Sequence, residues 1–555
     1  MLRTLPVLLM VAAINMAFAA EYDVLIRNGT VYDGTGAPPY MADVAITGDR
    51  VSAIGDFAQN SADLEIDASG FAVAPGFFNM LSHAHLSLIE DGRAMSDVLQ
   101  GVTFEVLSEV SLSPLTDATA KFWSTSFVEE DVEISWRSLG EYLEHVEASG
   151  VAPNFGTFVS AATVRMNVLG MDDVDPTPEQ LQLMKAQVAQ AMQEGAFGLT
   201  TALIYAPATY AETEEIIELA KVAGQYGGIY TAHMRSEANQ FIEAIDETLR
   251  IGREGKLPVK IHHLKAGGQP NWYKMDLAIE KIEALRKEGI PVTADMYTYI
   301  AGATGLNASM PTWVQAGGYD KWVERLQDPE IRERVKAEMA INADDWENLG
   351  YLAGPEGLRL LGFKNEELKK YMGKTVAEVA AERGQDYRDT IIDLVIEDGS
   401  RVGTLYFLMS EENLKKQIRQ PWVMFGSDAK APAAEGKALE RSAHPRTYGN
   451  VARLLGKYVR DERVITLQEA VRRLTLLPAQ TLSVSARGRL APGYFADIAI
   501  FDPGSIADQA RFDNPHQYAL GMVHVLVNGV PVVSHGKHTG ATPGRAVRGP
   551  GWVKK

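Results

Sequence analysis

The chain has 555 residues, 46% hydrophobic and 23% charged, the balance of a globular protein with a large core. A formal net charge of −19 argues against a nucleic-acid partner, because no basic surface is left to neutralise phosphates; a small anionic substrate, which responds to local cations, stays open. Cysteine is absent, which excludes disulfides and thiolate metal ligands.

Residues 1–20 read as a secretory signal peptide. Arg3 supplies the positive end, residues 5–13 the apolar stretch, and Ala17-Phe18-Ala19 a small-residue cleavage site. Cleavage places the mature protein in the periplasm or outside the cell. The competing reading is an uncleaved anchor, for which the apolar stretch is short. No later apolar run is long enough to span a membrane, so no stable insertion is expected after cleavage.

From residue 22 to about 71 short strands alternate with turns. Segments 24–26 and 31–32 flank Asn28-Gly29, and 43–46 and 51–54 flank Gly48-Asp49; each pair reads as a hairpin. Near the other end, residues 496–501 and the pair 523–527 and 530–533 around Asn528-Gly529 have the same design. Neither terminus holds enough strands for its own sheet. Residues 21–74 and 485–555 are therefore expected to combine into one small β-sandwich.

Residues 75–484 carry a βα rhythm: helix 178–194, strand 198–203, helix 213–226, strand 228–233, helix 237–254, strand 259–263, helix 275–288, strand 291–296. Strict alternation implies a parallel sheet, and this many units favours a closed α/β barrel of the (β/α)8 TIM type. An open doubly wound sheet is the alternative, but no Gly-rich nucleotide loop follows a strand. A helical insertion is expected around 306–386, with barrel strands resuming at 389–396, 403–409 and 422–426.

Candidate chemistry gathers at apparent strand ends. In residues 74–85 (APGFFNMLSHAH), His83 and His85 share one face if the segment is extended. Strand 101–107 runs into Glu109, a candidate carboxylate ligand whose bland reading is a solvated loop acid; Glu105 has the same parity but sits deeper, as a structural charge. Segments 229–235 (IYTAHMR) and 259–265 (VKIHHLK) each carry a histidine and, two residues on, a cation: His233 with Arg235, His263 with Lys265. Strand alternation points each pair the same way, joining a zinc ligand to a carboxylate clamp. His262 faces the other way and reads as packing. Strand 423–426 ends in Ser427-Asp428, a carboxylate at the barrel mouth, where barrel enzymes place catalytic residues; a helix cap is its bland reading.

These residues carry a resemblance. The chain resembles the amidohydrolase superfamily and, within it, the D-aminoacylase (N-acyl-D-amino-acid deacylase) family, through residues 74–85, 195–305 with Gly268-Gln269-Pro270-Asn271, 426–428 with His444-Pro445-Arg446, and 488–497. The resemblance implies a metal-dependent barrel with a β-sandwich built from both termini. It implies that His233 and His263 hold zinc, one or two ions per chain, and that Asp428 is the base. Arg235 and Lys265 would grip the substrate carboxylate with Tyr297 beside them, and His444 would support the site without binding metal. Two departures stand out. The family's first strand reads Asp, one residue, His, one residue, His, where this chain without a gap has Asn79, Leu81 and His83, leaving His85 past the motif. The family's metal-binding cysteine falls at Val110, and Glu109 beside it is the nearby group able to serve.

The expected activity is metal-dependent hydrolysis of the linear amide of an N-acyl-D-amino acid to a carboxylate and a free amino acid. A dipeptidase using the same site is the nearest rival, and a non-catalytic periplasmic binding protein on a degenerate barrel is the rival from another class.

Overall fold

Eight parallel strands form the centre of the computed structural model, which describes residues 20–126 and 132–554. They are β1 (Phe77–Ser82), β2 (Val102–Leu107), β3 (Asn154–Thr157, resumed at Val159–Ser160), β4 (Gly198–Ala202), β5 (Ile229–His233), β6 (Val259–Ile261), β7 (Val292–Met296) and β8 (Val423–Phe425). Each pairs in parallel with the next. The ring closes where Asp428 N donates to Leu81 O (2.8 Å) and His83 N to Ala429 O (2.9 Å). Gly426 makes that closure possible: a Cβ there would lie 2.5 Å from Leu81 N. The expected (β/α)8 barrel is the observed fold. The signal peptide expected over residues 1–20 lies outside the described residues apart from Ala20.

The connecting helices begin and end where local chemistry dictates. Pro178–Glu194 starts at a Thr177–Gln180 capping box with proline in its first turn, and stops at Gly195, whose φ is 116°. Its buried residues, Met184, Val188, Ala191 and Met192, form one stripe against the strands. Among the described residues no helix is long and apolar enough to cross a membrane.

The insertion between β7 and β8 extends further than its sequence suggests. It contains helices Tyr319–Gln327, Pro329–Met339, Val376–Arg383 and Tyr387–Asp398, and an antiparallel sheet of Gly302–Gly305, Gly403–Tyr406 and Leu358–Leu360. Two segments expected to resume the barrel do not. Residues 389–396 lie within the last of those helices, and 403–406 form the middle strand of the small sheet. A short apolar run such as Ile391-Ile392-Asp393-Leu394-Val395 fits a buried helix as well as a strand, so periodicity alone does not separate them.

The two termini meet in one nine-stranded sheet. Ala72–Pro75 pairs antiparallel with Ile498–Phe501, which joins the N-terminal strands to the C-terminal ones. Alternation splits this junction between two cores: Ala72, Ala74, Ala499 and Phe501 face the barrel, while Val73, Ile498 and Ile500 join Val24, Ile26, Val44 and Ile46. A bridge from Arg50 to Phe495 brings the sheet's outer edge round to this junction, enclosing the second core. The turns around Gly48-Asp49 and Asn528-Gly529 are hairpins. Asn28-Gly29 is not: strand Tyr22–Val31 runs through it with a register shift, and Asn28 takes φ 58° while its N–H donates to Asp43.

Candidate metal centre

The series of strand ends read from the sequence converges at the C-terminal mouth of the barrel, around Glu109. This residue leaves β2 with φ 65°, and its N–H donates to Thr200 Oγ1. Glu109 Oε1 lies 2.6 Å from His263 Nε2 and 3.2 Å from His233 Nδ1, and Oε2 lies 3.5 Å from His83 Nε2. His83 Nε2 is in turn 2.9 Å from Asp428 Oδ1. Two donor sets result, Glu109–His233–His263 and His83–Glu109–Asp428, each with its ligand atoms within 4.8 Å of one another. Glu109 belongs to both.

The barrel supplies these side chains from different parts of each strand end. His233 is the last residue of β5. His263 lies two residues beyond β6 with φ 28°, and its N–H donates to Asp295 Oδ1 at 2.7 Å. Asp428 takes φ 51° just after β8. His83 follows β1 beyond a bulge, where Asn79 to Ser82 on β1 oppose Glu105 to Leu107 on β2. Beneath the ligands, buried Lys260 pairs with Asp295 and donates to Met80 O, and His262 bonds Ser108 and Thr231, as packing beneath the site.

A further carboxylate stands behind both histidines. Glu237 Oε1 is 2.8 Å from His263 Nδ1 and 2.7 Å from Lys265 Nζ, and its Oε2 is 3.6 Å from His233 Nε2. Carboxylates so placed fix the tautomer and orientation of metal-binding imidazoles. Glu347, from the insertion, anchors this loop by accepting from Glu237 N, Ala238 N and Ser236 Oγ.

The electrostatics favour a cation. Burial alone would raise the carboxyls, but His233 and His263 hold Glu109 well below its usual value, and Lys265 with the same histidines holds Glu237 at about 2. Burial and Lys265 press the His263 imidazole down, yet Glu237, Asp428 and Glu109 together carry it up to about 10. Three ionised carboxylates thus crowd two imidazoles in a buried site, and His233 Nε2 has no hydrogen-bond partner among the described residues. Nitrogen and oxygen donors in this arrangement fit a divalent metal such as zinc.

Not every expected residue reaches the cluster. His85 stays outside both donor sets: it lies in the turn after β1, its ring is 6.5 Å from that of His83, and burial pushes it down to about 3. Arg235 also stays away, donating to Glu247, Thr209 O and Ala211 O. β5 ends at His233, so strand alternation no longer governs Arg235. Lys265 does come in, against His263 and Glu237. Tyr297 is fully buried, its ring 6.5 Å from that of His263.

Arg446 does reach the cluster. Its Nη1 lies 2.7 Å from Asp428 Oδ2, its guanidinium is 4.5 Å from the centre of the Tyr297 ring, and its Nε is buried without a hydrogen-bond partner among the described residues. His444 supports it by accepting from Arg446 N (2.9 Å) while its other ring nitrogen meets Ala301 O. Glu237, like Arg446, was given no role from the sequence. Its signal was its position four residues after His233.

A profile of the amidohydrolase family matches residues 64–533. The chain belongs to this family. It is 33% identical to a D-aminoacylase of Alcaligenes xylosoxydans xylosoxydans, over 95% of this chain and 97% of that one. The fold superposes with a TM-score of 0.80 on an N-acyl-D-glutamate deacylase from Bordetella bronchiseptica, solved with zinc and a phosphonate that mimics the tetrahedral intermediate; identity is 28%, over 95% of this chain and 99% of that one. A D-aminoacylase structure describing a binuclear metal centre, with one-metal activation and second-metal attenuation, gives a TM-score of 0.79 at 32% identity, over 95% and 100%.

Proposed function

We propose that this protein is a zinc-dependent hydrolase that cleaves the amide bond of N-acyl-D-amino acids, releasing a carboxylate and a free amino acid. The observation that carries the reading is the Glu109 carboxylate shared by two donor sets at the barrel mouth. The deacylases named above, alike over nearly the whole chain, support the reaction and the D configuration.

Glu109, His233 and His263 would hold the zinc, which when bound would supply Lewis acidity and lower the pKa of water toward neutrality. The remaining work belongs to the side chains. Burial pushes the Asp428 carboxyl up, but Arg446 and His263 hold it well below its usual range, so it is a carboxylate able to take the proton of the attacking water. The same proton is then delivered to the leaving amide nitrogen. Arg446, with Lys265 and Tyr297 beside it, fixes the substrate's free carboxylate and so sets the scissile carbonyl over the metal ligands. Glu237, 2.8 Å from His263 Nδ1, keeps that imidazole aligned. The signal peptide read over residues 1–20 supports a periplasmic or secreted location.

The test is metal content of the purified protein together with amine release from N-acetyl-D-amino acids, N-acetyl-L-amino acids and dipeptides. One or two zinc ions per chain with release from N-acetyl-D substrates is the expected result. Release from dipeptides alone moves the assignment to a peptidase, and neither metal nor release overturns it.

A further inference from the structure

Arg235 is answered by Glu247 and Arg446 by Asp428. Arg401 has no such partner: among the described residues no carboxylate pairs with it. It sits just before strand Gly403–Tyr406 of the small inserted sheet, and its guanidinium lies 5.4 Å from the centre of the Tyr205 ring. The Tyr205 ring meets His233 edge-on at 5.2 Å. One aromatic ring therefore separates an uncompensated cation from a metal ligand.

The surrounding structure holds that cation in place. Arg401 Nε donates to Oδ1 of buried Asn307 at 2.9 Å, and Nη2 reaches Thr304 Oγ1 at 3.5 Å. Asn307 is itself fixed, its Nδ2 donating to Gln315. Gly305 leaves the room required: a Cβ there would lie 2.2 Å from Asn307 Oδ1 and 2.9 Å from Arg401 Nε. Val402 takes φ 54°, a conformation that β-branched residues rarely adopt, and Leu306 N donates to both Arg401 O and Val402 O at 2.8 Å. Strain of this kind persists only where neighbouring contacts impose it. Here it sets the direction of an exposed arginine whose Nη1 has no partner among the described residues.

We infer that Arg401 is a specificity-determining residue that pairs with a second carboxylate on the substrate, so that N-acyl amino acids carrying two carboxylates are preferred over those carrying one. This rests on the deacylase reading above, in which Arg446 takes the first carboxylate. A planar guanidinium held in one orientation matches a carboxylate through two parallel hydrogen bonds, and its charge is already free for the task. The second carboxylate has two possible sources, an acidic side chain on the amino acid or a dicarboxylic acyl group.

The experiment compares kcat/KM within two matched pairs, for the wild type and Arg401→Met. N-acetyl-D-glutamate against N-acetyl-D-glutamine tests the side chain; N-glutaryl-D-alanine against N-pentanoyl-D-alanine tests the acyl group. The wild type is expected to prefer the dicarboxylate in one pair, which names the source. Arg401→Met should cut that preference by about 10- to 100-fold, the scale of a charged hydrogen bond. Arg401→Lys, which keeps the charge, should restore part of it. No preference in either pair, or a preference that survives Arg401→Met, overturns the inference while leaving the deacylase reading intact. If the wild type releases amine from none of the four, the deacylase reading fails, and titration calorimetry with glutarate against butyrate decides the matter. Glutarate binding lost in Arg401→Met supports the pairing, and equal binding by both proteins overturns it.

Discussion

Arg446 Nη1 lies 2.7 Å from Asp428 Oδ2, both groups buried in the mouth of the barrel. The contact ties the group proposed to hold the substrate's charge to the group proposed to move its proton. Arg446→Met should therefore act twice. KM for N-acyl amino acids should rise by about 10- to 100-fold as the clamp is lost. With the positive charge gone, the Asp428 carboxyl rises toward its usual range, so the acid limb of the kcat/KM profile moves to higher pH. A KM change without the pH shift would separate the two roles.

Asp428→Asn keeps the shape of the site and removes the base. Turnover should fall by about 10²- to 10⁴-fold. The set Glu109–His233–His263 does not include Asp428, so elemental analysis should still find at least one metal ion per chain. Near-normal activity in this variant would strip Asp428 of its role.

Because Glu109 is common to both donor sets, Glu109→Ala should lose metal from both. His83→Ala touches one set alone and should retain the other ion. Metal-to-protein ratios after identical dialysis distinguish the cases, and equal loss in the two variants would count against a shared carboxylate.

Below the metal centre, burial pushes the Glu105 carboxyl up from 4.5 to about 7, beside Asp97, which burial also raises. A carboxyl whose folded value exceeds its unfolded one binds more protons in the native state. Its contribution to stability is greatest below about pH 4.5 and is lost as pH rises toward about 7. Glu105→Gln should flatten that decline, read as thermal midpoints between about pH 5 and about pH 8.

Where the sequence was legible, periodicity and strand parity were the reason. The βα rhythm gave the barrel, and the five strand-end groups that converge, His83, Glu109, His233, His263 and Asp428, were each visible as polar residues closing apolar runs. Parity failed one step beyond a strand. Arg235 was paired with His233 by alternation, but β5 stops at His233 and the chain turns toward Glu247. His85 was lost the same way, in the turn after β1. Glu237 lies on the loop after β5, where no period announces direction, and Arg446 opens helix Arg446–Arg453 beyond a loop whose path strand parity does not reach. Residues 389–396 misled for a different reason: a short run of buried aliphatic residues has no single period to read.

The terminal sheet bears on how the molecule comes to exist in time. Arg50 donates to the carbonyl of Gly493, 443 positions away, and Ala72–Pro75 waits for Ile498–Phe501 before its second neighbour is in place. Contacts of such separation are slow to form, because chain entropy must be lost before any pairing rewards it. During synthesis the whole barrel emerges while the early strands still present an open apolar edge. Refolding from denaturant should therefore be slow, and the half-finished sheet is where aggregation would begin.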